Sequence, residues 1–440
     1  NQDLNEEVMY WIGRAIGSEA IELNQTSICV ARDGRISGPI LIAALKSGLQ
    51  DSGLAVIDIG MVPTPVLYFA TYHLKTQSGV MLTGSHNPPN YNGLKIVLGG
   101  NTLSGDSIQS LYQRIKQKNF VSGEGSEDIQ DVSSAYTDRI ASDVILSRPL
   151  HVVIDCGNGV TGCMVPHLFQ QLGARVDSLF NEVDGMFPNH HPDPSKPENL
   201  KDLIQKVTEV GADFGIAFDG DGDRIGIVTN TGEIIYPDRL MMLISQDVLK
   251  KNPGASIIFD VKCTSDLANL ISSWGGKPIM SRTGHSLIKA KLKETKAALA
   301  GEMSGHIFFN DRWYGFDDAL YTAARVLEIL SEINKTSGEV FESYPKKMTT
   351  PEINIAVTEA SKFLIVDAMI EKAADFGGKK TTIDGLRIDY ENGWGLLRAS
   401  NTTPMLVARF EADDENTLEE IKDKFRTILL EIDSDLDLPF

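Results

Sequence analysis

The stretch FGIAFDGDGDRIGIV, residues 214–228, places three aspartates between two apolar runs. The apolar runs predict strands, and in an extended segment alternate side chains point the same way. Asp219, Asp221 and Asp223 can therefore converge on one hard divalent cation such as Mg²⁺. The intervening glycines permit a tight turn, and Arg224 adds a positive charge of the kind that a phosphate-bearing substrate requires.

The alternatives to a divalent-cation site of this kind are an EF-hand and a solvated acidic turn. An EF-hand needs glycine at its sixth position and a bidentate glutamate at its twelfth. Those positions hold Arg224 and Asn230, so an EF-hand is rejected. A solvated acidic turn remains as the alternative, and the apolar flanks on both sides argue against it.

Composition limits the class of protein. A chain of 440 residues is expected to divide into three or four domains. A net charge of −19 argues against nucleic-acid binding. The four scattered cysteines form no Cys-x-x-Cys pair, which favours a reduced cytoplasmic protein. The first residues show no signal-peptide pattern, and no apolar window is long enough to span a membrane.

One supersecondary plan recurs three times along the chain. Apolar strands at 28–31, 152–154 and 257–259 are each followed by a turn, a helix-like stretch, a glycine and a second strand. A third strand then ends at a polar loop, at 83–86, 219–224 and 301–306. Alternating strands and helices predict parallel α/β layers, whose ligands gather beyond the carboxyl ends of the strands.

The pattern changes from about residue 346, where strand-like and helical pieces predict a smaller α+β domain. The predicted fold is therefore α/β, with three related domains containing mixed sheets and a divergent α+β C-terminal domain around one central cleft. The expected domains are 1–130, 131–233, 234–345 and 346–440.

Four further segments are candidates for the cleft, and each has a plainer interpretation as a turn. Ser85 stands in Thr-Gly-Ser-His-Asn-Pro-Pro, where the prolines end the strand and the serine can act as nucleophile or phosphate carrier. Lys95 follows closely. Arg398 begins the polar loop 398–404, which can surround a phosphate. The remaining candidates are Glu302, Ser304 and His306, which alternate on the third loop, and His285, at the start of a predicted helix.

A glycine-rich turn at 157–162 matches the Gly-x-Gly-x-x-Gly pattern of dinucleotide sites. The equivalent turns in the other two copies lack these glycines, and a dinucleotide would leave the aspartate loop unexplained. Tight packing of strand against helix is the simpler role. A nicotinamide-dependent dehydrogenase stays as an alternative.

Together, these loops resemble the α-D-phosphohexomutase superfamily, and in particular its bacterial phosphomannomutase/phosphoglucomutase branch. The resemblance covers nearly the whole chain. It implies that Ser85 is the phosphoserine and that Asp219, Asp221 and Asp223 bind Mg²⁺ together with Ser85. It further implies that Arg224 lies near the transferring group, and that Lys95 and, as a weaker candidate, His285 assist proton transfer.

The resemblance also implies a set of substrate contacts. Lys262 and His285 would touch the substrate from the third domain, while Glu302 and Ser304 bind sugar hydroxyls with His306 nearby. The phosphate that is not being transferred would be bound by Arg398, Ser400, Asn401 and Thr402.

The implied reaction converts mannose or glucose 1-phosphate to the 6-phosphate through a 1,6-bisphosphate, with glucose 1,6-bisphosphate as activator. Met303 favours the mannose/glucose branch over phosphoglucosamine mutase, which remains the nearest alternative. The family's usual Phe-Arg-x-Tyr-Asp-Ile-Arg-Gly segment does not occur in this sequence. A non-catalytic sugar-phosphate binder would not need Ser85, and a metal-dependent phosphatase would not need to retain a bisphosphate. Phosphosugars are the expected partners, and a monomer is favoured.

Overall fold

A computed structural model describes residues 4–401 and 403–440, except for the side chain of Asp375. The described strands form four sheets, which follow one another along the chain. The three-copy prediction and the predicted fold class are confirmed, and the central strands of the first three sheets show why.

Each of the first three sheets has the same core of four strands. The first strand of each copy lies in the middle, with the second on one side and the third on the other, both parallel to it. A fourth strand then pairs antiparallel with the third. The carboxyl ends of the third strands therefore occupy equivalent edges, and each leads directly into one of the predicted polar loops.

The first sheet has six strands in the order β5-β4-β3-β1-β2-β6. Its strands are β1 Ser27–Arg32, β2 Ala55–Met61, β3 Gly79–Leu82, β4 Leu94–Leu98, β5 Asn101–Thr102 and β6 Ser126–Ile129. The accompanying helices are α1 Glu6–Glu22, α2 Gly38–Gln50, α3 Thr64–His73 and α4 Asp106–Gln117. Helix α2 has Pro39 in its first turn and buries Leu41, Leu45 and Leu49, which repeat at the spacing of one helix face.

The second sheet has five strands in the order β11-β10-β9-β7-β8. Its strands are β7 His151–Asp155, β8 Arg175–Leu179, β9 Phe214–Phe218, β10 Ile225–Thr229 and β11 Ile234–Ile235. Its helices are α5 Ser133–Asp143, α6 Val165–Gln171 and α7 Lys201–Val210, with 3₁₀ turns at Val160–Cys163 and Pro197–Leu200. Every residue of β9 and β10 is buried, which explains their continuous apolar sequence.

The third sheet has four strands in the order β13-β12-β14-β15. Its strands are β12 Ser256–Asp260, β13 Lys277–Ser281, β14 Leu299–Gly301 and β15 Ile307–Phe309. Its helices are α8 Pro237–Lys251, α9 Ser265–Ser273, α10 His285–Thr295, α11 Ala319–Glu332 and α12 Ser337–Glu342.

The fourth sheet is antiparallel throughout its pairings, and β21 is paired with β16, β17 and β20. Its strands are β16 Met348–Thr349, β17 Ile353–Ala356, β18 Lys379–Thr381, β19 Leu386–Tyr390, β20 Gly393–Ala399 and β21 Met405–Ala412. Its helices are α13 Ser361–Glu371 and α14 Glu415–Ile432, with a 3₁₀ turn at Lys372–Phe376.

The hydrophobic core is divided in a way that sets the fourth domain apart. One continuous cluster of buried side chains extends from Cys29 to Tyr344 and joins the first three sheets. The fourth sheet has its own cluster, which includes Phe376, Phe410 and Phe425. The predicted boundaries at 130, 233 and 345 stay predictions. Among the described residues, no helix combines the length and the apolar character needed to cross a bilayer.

Candidate active site

Ser85 lies on the loop that follows β3, and its backbone is in an unusual conformation. Its φ is 48°, in the left-handed region that residues other than glycine rarely adopt. The Ser85 N–H donates to Thr83 Oγ1 at 2.8 Å. The Ser85 hydroxyl donates to Asp219 Oδ2 at 2.9 Å and lies 3.3 Å from His86 Nδ1. The loop therefore points the Ser85 hydroxyl directly at the aspartate loop of the second domain.

Arg35, in the turn after β1, holds the Ser85 loop in place. The residue is 1% exposed, and its guanidinium donates to four backbone carbonyls of the loop. The acceptors are those of Ser85 at 2.8 Å, Asn87 at 2.7 Å, Pro88 at 2.5 Å and Tyr91 at 2.9 Å. One planar guanidinium thus gathers the carbonyls of a whole loop, a geometry that lysine cannot reproduce.

Asp33 ties Arg35 to the start of the same loop. Its carboxylate accepts from Arg35 Nε at 3.1 Å, Thr83 Oγ1 at 2.8 Å and the Gly84 N–H at 3.2 Å. A Cβ on Gly84 would lie 2.4 Å from the guanidinium carbon of Arg35, so only glycine fits there. The strained Ser85 conformation is therefore supported by the buried Asp33–Arg35 ion pair and by the close approach of the Gly84 backbone to Arg35.

The aspartate loop is organised by Asp219. Its Oδ1 accepts the backbone N–H groups of Gly222, Asp223 and Arg224 at 3.0–3.1 Å, which closes the turn. Its Oδ2 accepts the hydrogen bond from the Ser85 hydroxyl. A Cβ on Gly220 would lie 2.5 Å from the Ser85 carbonyl oxygen, so this glycine allows the loops of the first and second domains to meet.

The three aspartates are fully buried, and their ligand atoms lie within 4.8 Å of one another. Lys95, on β4, reaches this cluster with its ammonium, which donates to Asp221 Oδ2 at 2.6 Å and also to Asp223 Oδ2. Thr64, at the start of α3, donates to the same oxygen of Asp221 at 2.5 Å. Within the described part of the chain, the buried Oδ1 atoms of Asp221 and Asp223 have no hydrogen-bond partner.

The charges in this cluster affect one another. Burial and the neighbouring carboxylates raise the pKa of Asp219 well above its usual range. Burial also works against ionisation of Asp221, but the ammonium of Lys95 outweighs it and lowers the pKa of Asp221. Burial opposes the charge on Lys95 too, but Asp221 and Asp223 raise its pKa well above the usual value. A set of buried carboxylates with unpartnered oxygens fits a hard divalent cation, because such ions take carboxylate ligands.

Arg224 connects the aspartate loop to the third domain. Its Nε donates to His306 Nε2 at 3.1 Å. The His306 ring stacks on that of His285, with ring centres 5.5 Å apart. Both Nδ1 atoms lie close to one carboxylate oxygen of Asp317, at 3.2 Å from His306 and 3.3 Å from His285. Arg224, His285 and His306, which the sequence predicts for the site, are therefore neighbours in the structure.

The remaining third-domain candidates have partners of their own. Glu302 is buried, and its Oε1 accepts the Gly284 N–H at 2.6 Å. Lys262 Nζ bonds Glu352 Oε1 at 2.5 Å, across the junction with the fourth domain. Ser304 is partly exposed on the turn between β14 and β15.

The fourth-domain loop contacts the third domain at Thr283. Asn401 Nδ2 lies 3.4 Å from the Thr283 carbonyl oxygen, and the Thr283 N–H donates to Asp384 Oδ2 at 3.0 Å. The same Asp384 oxygen accepts from Arg398 Nε at 3.0 Å, while Arg398 Nη2 is buried without a partner among the described residues. The Ser400 backbone carbonyl accepts from Lys362, and Thr402 lies outside the described residues.

The sequence missed residues whose importance depends on contacts distant in sequence. Arg35 and Asp33 lie about fifty positions before the loop that they hold, and the charged turn after β1 was the available signal. Asp317 and Lys289 gave no motif at all. The glycines of the 157–162 turn serve close packing: a Cβ on Gly159 would lie 2.9 Å from the Gly220 carbonyl oxygen and one on Gly162 would lie 2.0 Å from that of Asn181.

The models of one protein family match this chain along most of its length. Models of phosphoglucomutase/phosphomannomutase alpha/beta/alpha domains I, II and III match residues 1–122, 134–232 and 236–348, and the C-terminal domain of that family matches residues 352–428. The phosphomannomutase/phosphoglucomutase of Pseudomonas aeruginosa is 58% identical over 437 residues, covering 99% of this chain and 94% of the relative.

Two further similarities are nearly as extensive. A phosphoglucomutase of Neisseria gonorrhoeae is 51% identical over 430 residues, covering 97% of this chain and 93% of the relative. A crystal structure of a phosphoglucomutase/phosphomannomutase family protein from Burkholderia thailandensis aligns with a TM-score of 0.95 at 50% identity, covering 99% of this chain and 96% of that one.

Proposed function

The chain belongs to the phosphoglucomutase/phosphomannomutase family and is an enzyme that interconverts hexose 1- and 6-phosphates, and we propose which of its residues carry out each part of that reaction. The observation that carries the proposal is the Ser85 hydroxyl, held 2.9 Å from Asp219 beside a buried acidic cluster.

Ser85 is the phosphoryl carrier. Phospho-Ser85 gives its phosphoryl group to the free hydroxyl of a hexose 1-phosphate: a phosphorus–oxygen bond forms to the sugar as the bond to Ser85 Oγ breaks. The sugar hydroxyl loses its proton to a base of the cleft, and a 1,6-bisphosphate results. The bisphosphate then reverses its orientation in the cleft. Ser85 Oγ takes the other phosphoryl group as the bond from that phosphorus to the sugar oxygen breaks, and the hexose 6-phosphate leaves. Arg35 and Asp33 keep the carrier at one place for both half-reactions.

Asp219, Asp221 and Asp223, with a phosphate oxygen on Ser85, would hold one Mg²⁺. That ion supplies charge compensation at the transferring phosphoryl group. Lys95 keeps Asp221 ionised. Arg224 adds a second cation to the same region, and its guanidinium stays protonated. Glucose 1,6-bisphosphate is proposed as the activator, because it can phosphorylate Ser85.

The phosphate that is not transferred binds opposite the carrier. Arg398 offers an Nη2 that has no hydrogen-bond partner among the described residues, and Ser400, Asn401 and Thr402 belong to the same loop. Glu302 and Ser304 bind sugar hydroxyls, and Lys262 and His285 approach from the third domain. Lys95 and His285 assist proton transfer. The monomeric state and the cytoplasmic location expected from the sequence stay predictions.

The test is turnover of mannose 1-phosphate, glucose 1-phosphate and glucosamine 1-phosphate with Mg²⁺ and a trace of glucose 1,6-bisphosphate. We expect comparable turnover of the first two sugars, with loss of activity in Ser85→Ala and after chelation of divalent cations. Thr83→Val would be a poor control, since Thr83 supports the loop. Ser104→Ala is better, because Ser104 is partly exposed and lies outside the loop. Turnover retained by Ser85→Ala would refute the carrier assignment, and preference for glucosamine 1-phosphate would refute the choice of sugar.

A further inference from the structure

Lys362 is a buried lysine that lies behind the polar loop 398–404 and has no part in the roles assigned above. It belongs to the first turn of α13 and is 1% exposed. Its Nζ donates to the Ser400 carbonyl at 2.9 Å and to the Thr403 carbonyl at 3.2 Å. Burial of an ammonium is costly unless hydrogen bonds and an opposite charge compensate it, so its place behind this loop calls for an explanation.

Support of a tight turn is the first explanation to consider. The loop, however, has bonds of its own that close it. The Ser400 N–H donates to the Met405 carbonyl at 2.9 Å, and the Met405 N–H donates to the Thr403 carbonyl at 2.8 Å. The Thr403 hydroxyl donates to Ser400 Oγ at 2.8 Å. Closure of the turn therefore does not require a buried charge, and what the ammonium adds is its charge and the direction that it gives to the carbonyls.

The bond to Lys362 sets the orientation of the peptide between Ser400 and Asn401. In a trans peptide the C=O and N–H groups point in opposite directions, and the peptide bonds of the described residues are all trans. Because the Ser400 oxygen faces Lys362, the Asn401 N–H faces the other side of the loop. Among the described residues it donates to no backbone carbonyl, and Asn401 is exposed.

Arg398 places a second donor at the start of the same loop. The residue is 5% exposed, and its Nε is held by Asp384 at 3.0 Å. Its Nη2 is buried and has no partner within the described part of the chain. A buried guanidinium nitrogen without an acceptor is an unpaired charged donor, which an anion such as a phosphate can satisfy.

The charge of Lys362 is only partly neutralised by its ion-pair partner. Glu359 Oε1 lies 2.7 Å from Lys362 Nζ, but the Glu359 side chain is 70% exposed, whereas that of Lys362 is 2% exposed. Solvent screens a carboxylate in that position. A net positive charge therefore remains behind the loop, on the side to which the carbonyl oxygens point.

We propose that Lys362 is a positioning residue of the phosphate-binding loop, which turns the Ser400–Asn401 peptide so that the Asn401 N–H joins Arg398 Nη2 in binding the untransferred phosphate. The ammonium also polarises this peptide, whose dipole has its negative end at Lys362 and its positive end at the phosphate. The role rests on the proposed function, which assigns the untransferred phosphate to this loop.

The binding test is the affinity of the full-length chain for glucose 1-phosphate, measured by calorimetry in a Ser85→Ala background that cannot transfer the phosphoryl group. Lys362→Met removes the charge and both donors while it keeps an unbranched side chain. We expect Kd to rise by about 10- to 100-fold, because one backbone donor is misdirected and one charge is lost. A Kd within about twofold of the background would overturn the proposal.

The matched control is Glu359→Gln, which removes the ion-pair partner and leaves the donors of Lys362 in place. Glu359 is exposed, so this variant should keep Kd within about twofold of the background or lower it. Weakening equal to that of Lys362→Met would show that the ion pair matters rather than the loop contacts, and would overturn the proposal.

NMR tests the direction of the peptide without any change at Lys362. The Ser85→Ala protein is labelled with ¹⁵N-asparagine, and the Asn401 backbone signal is assigned by its loss in Asn401→Asp. We expect this N–H proton to move downfield when glucose 1-phosphate saturates the protein, as a charge-assisted hydrogen bond forms. Absence of that shift would overturn the proposal even if Lys362→Met failed to fold. In folded Lys362→Met the shift at saturation should be much smaller, whereas a purely structural role would leave it unchanged.

Arg398→Leu separates the two proposals. If this variant binds glucose 1-phosphate as tightly as the background, the loop is not the phosphate site, and the proposed function fails in that part together with the role of Lys362. If Arg398→Leu weakens binding and Lys362→Met does not, the role of Lys362 alone is refuted.

Discussion

Replacing Arg35 by lysine tests whether the Ser85 loop is held by one guanidinium. Arg35 makes four hydrogen bonds to loop carbonyls and one to Asp33. A lysine ammonium keeps the charge, and with it most of the attraction to Asp33, but has three donors on a single nitrogen. At least two of the five bonds must therefore be lost, and the remaining ones cannot keep the planar arrangement.

The magnitude follows from those lost bonds. A hydrogen bond from a charged donor contributes about 1.5–3 kcal/mol, and water can reach the half-exposed Ser85 loop and replace part of it. Two lost bonds should therefore lower the free energy of opening the loop by about 2–4 kcal/mol. At 1.4 kcal/mol for each factor of ten, exchange of amides protected by the loop should accelerate by about 30- to 700-fold.

The assay is hydrogen exchange at the N–H groups of Asn87 and Tyr91, which bond the carbonyls of Gly84 and Pro88 at 2.8 and 3.0 Å. Misplacement of Ser85 should also lower kcat by about 10- to 100-fold. The matched control is Arg32→Lys, because Arg32 Nη1 donates to the Asp33 carbonyl at 3.0 Å, a bond that lysine can make. If exchange and kcat in Arg35→Lys both stay within about twofold of wild type, the reasoning fails. An equal effect in Arg32→Lys would refute the special role of Arg35.

Two other predictions concern pH and substrate affinity. Burial disfavours the charged form of His190, but its bond to Asp155 at 2.9 Å outweighs this and raises the pKa of His190. The stabilisation of the fold by this pair is therefore complete below about pH 6.5 and is lost as the pH rises through the folded-state pKa of His190. Urea unfolding should therefore show wild-type stability falling above about pH 6.5, and a His190→Gln variant that kept this slope would contradict the assignment. Glu352 pairs with Lys262, which we propose contacts the substrate. Glu352→Gln should therefore lower KM for hexose 1-phosphate by up to about fivefold with kcat unchanged, and a raised KM would oppose the proposed contact.

The three copies of one strand–helix arrangement could be predicted from the sequence because local patterns encode each copy. Each copy carries an apolar first strand, and the polar loops at 83–86, 219–224 and 301–306 follow third strands whose ends lie at equivalent edges. The aspartate loop was predictable for the same reason, since its spacing and its glycines are adjacent in sequence.

The supporting residues were not predictable because their partners come from other elements. Arg35 acts on carbonyls, which every residue has, so no sequence pattern marks its acceptors. Asp317 lies near His285 and His306 only because the start of α10 and the turn before β15 bring both rings to the same oxygen. Lys262 was assigned to the substrate, and its contact with Glu352 depends on where the fourth domain sits.

The arrangement of charge explains how an acidic chain can receive an anionic substrate. The cleft cations are paired with carboxylates contributed from different elements: Lys95 with Asp221, Lys289 with Asp317, and Arg398 with Asp384. Such pairing offsets the cost of burying each charge, and it keeps Lys95 and Lys289 protonated, because the carboxylates outweigh burial and raise the pKa of both. A paired cation, however, attracts a phosphate less strongly than a free one. Affinity for a phosphate must therefore come from hydrogen-bond donors that make no bond to the paired carboxylate. Arg398 has such a donor: its Nε donates to Asp384, while its buried Nη2 has no partner among the described residues. In the proposed phosphate site, Arg398 would thus be positioned through its Nε and would bind the phosphate through its Nη2, a division that a lysine at this position could not make.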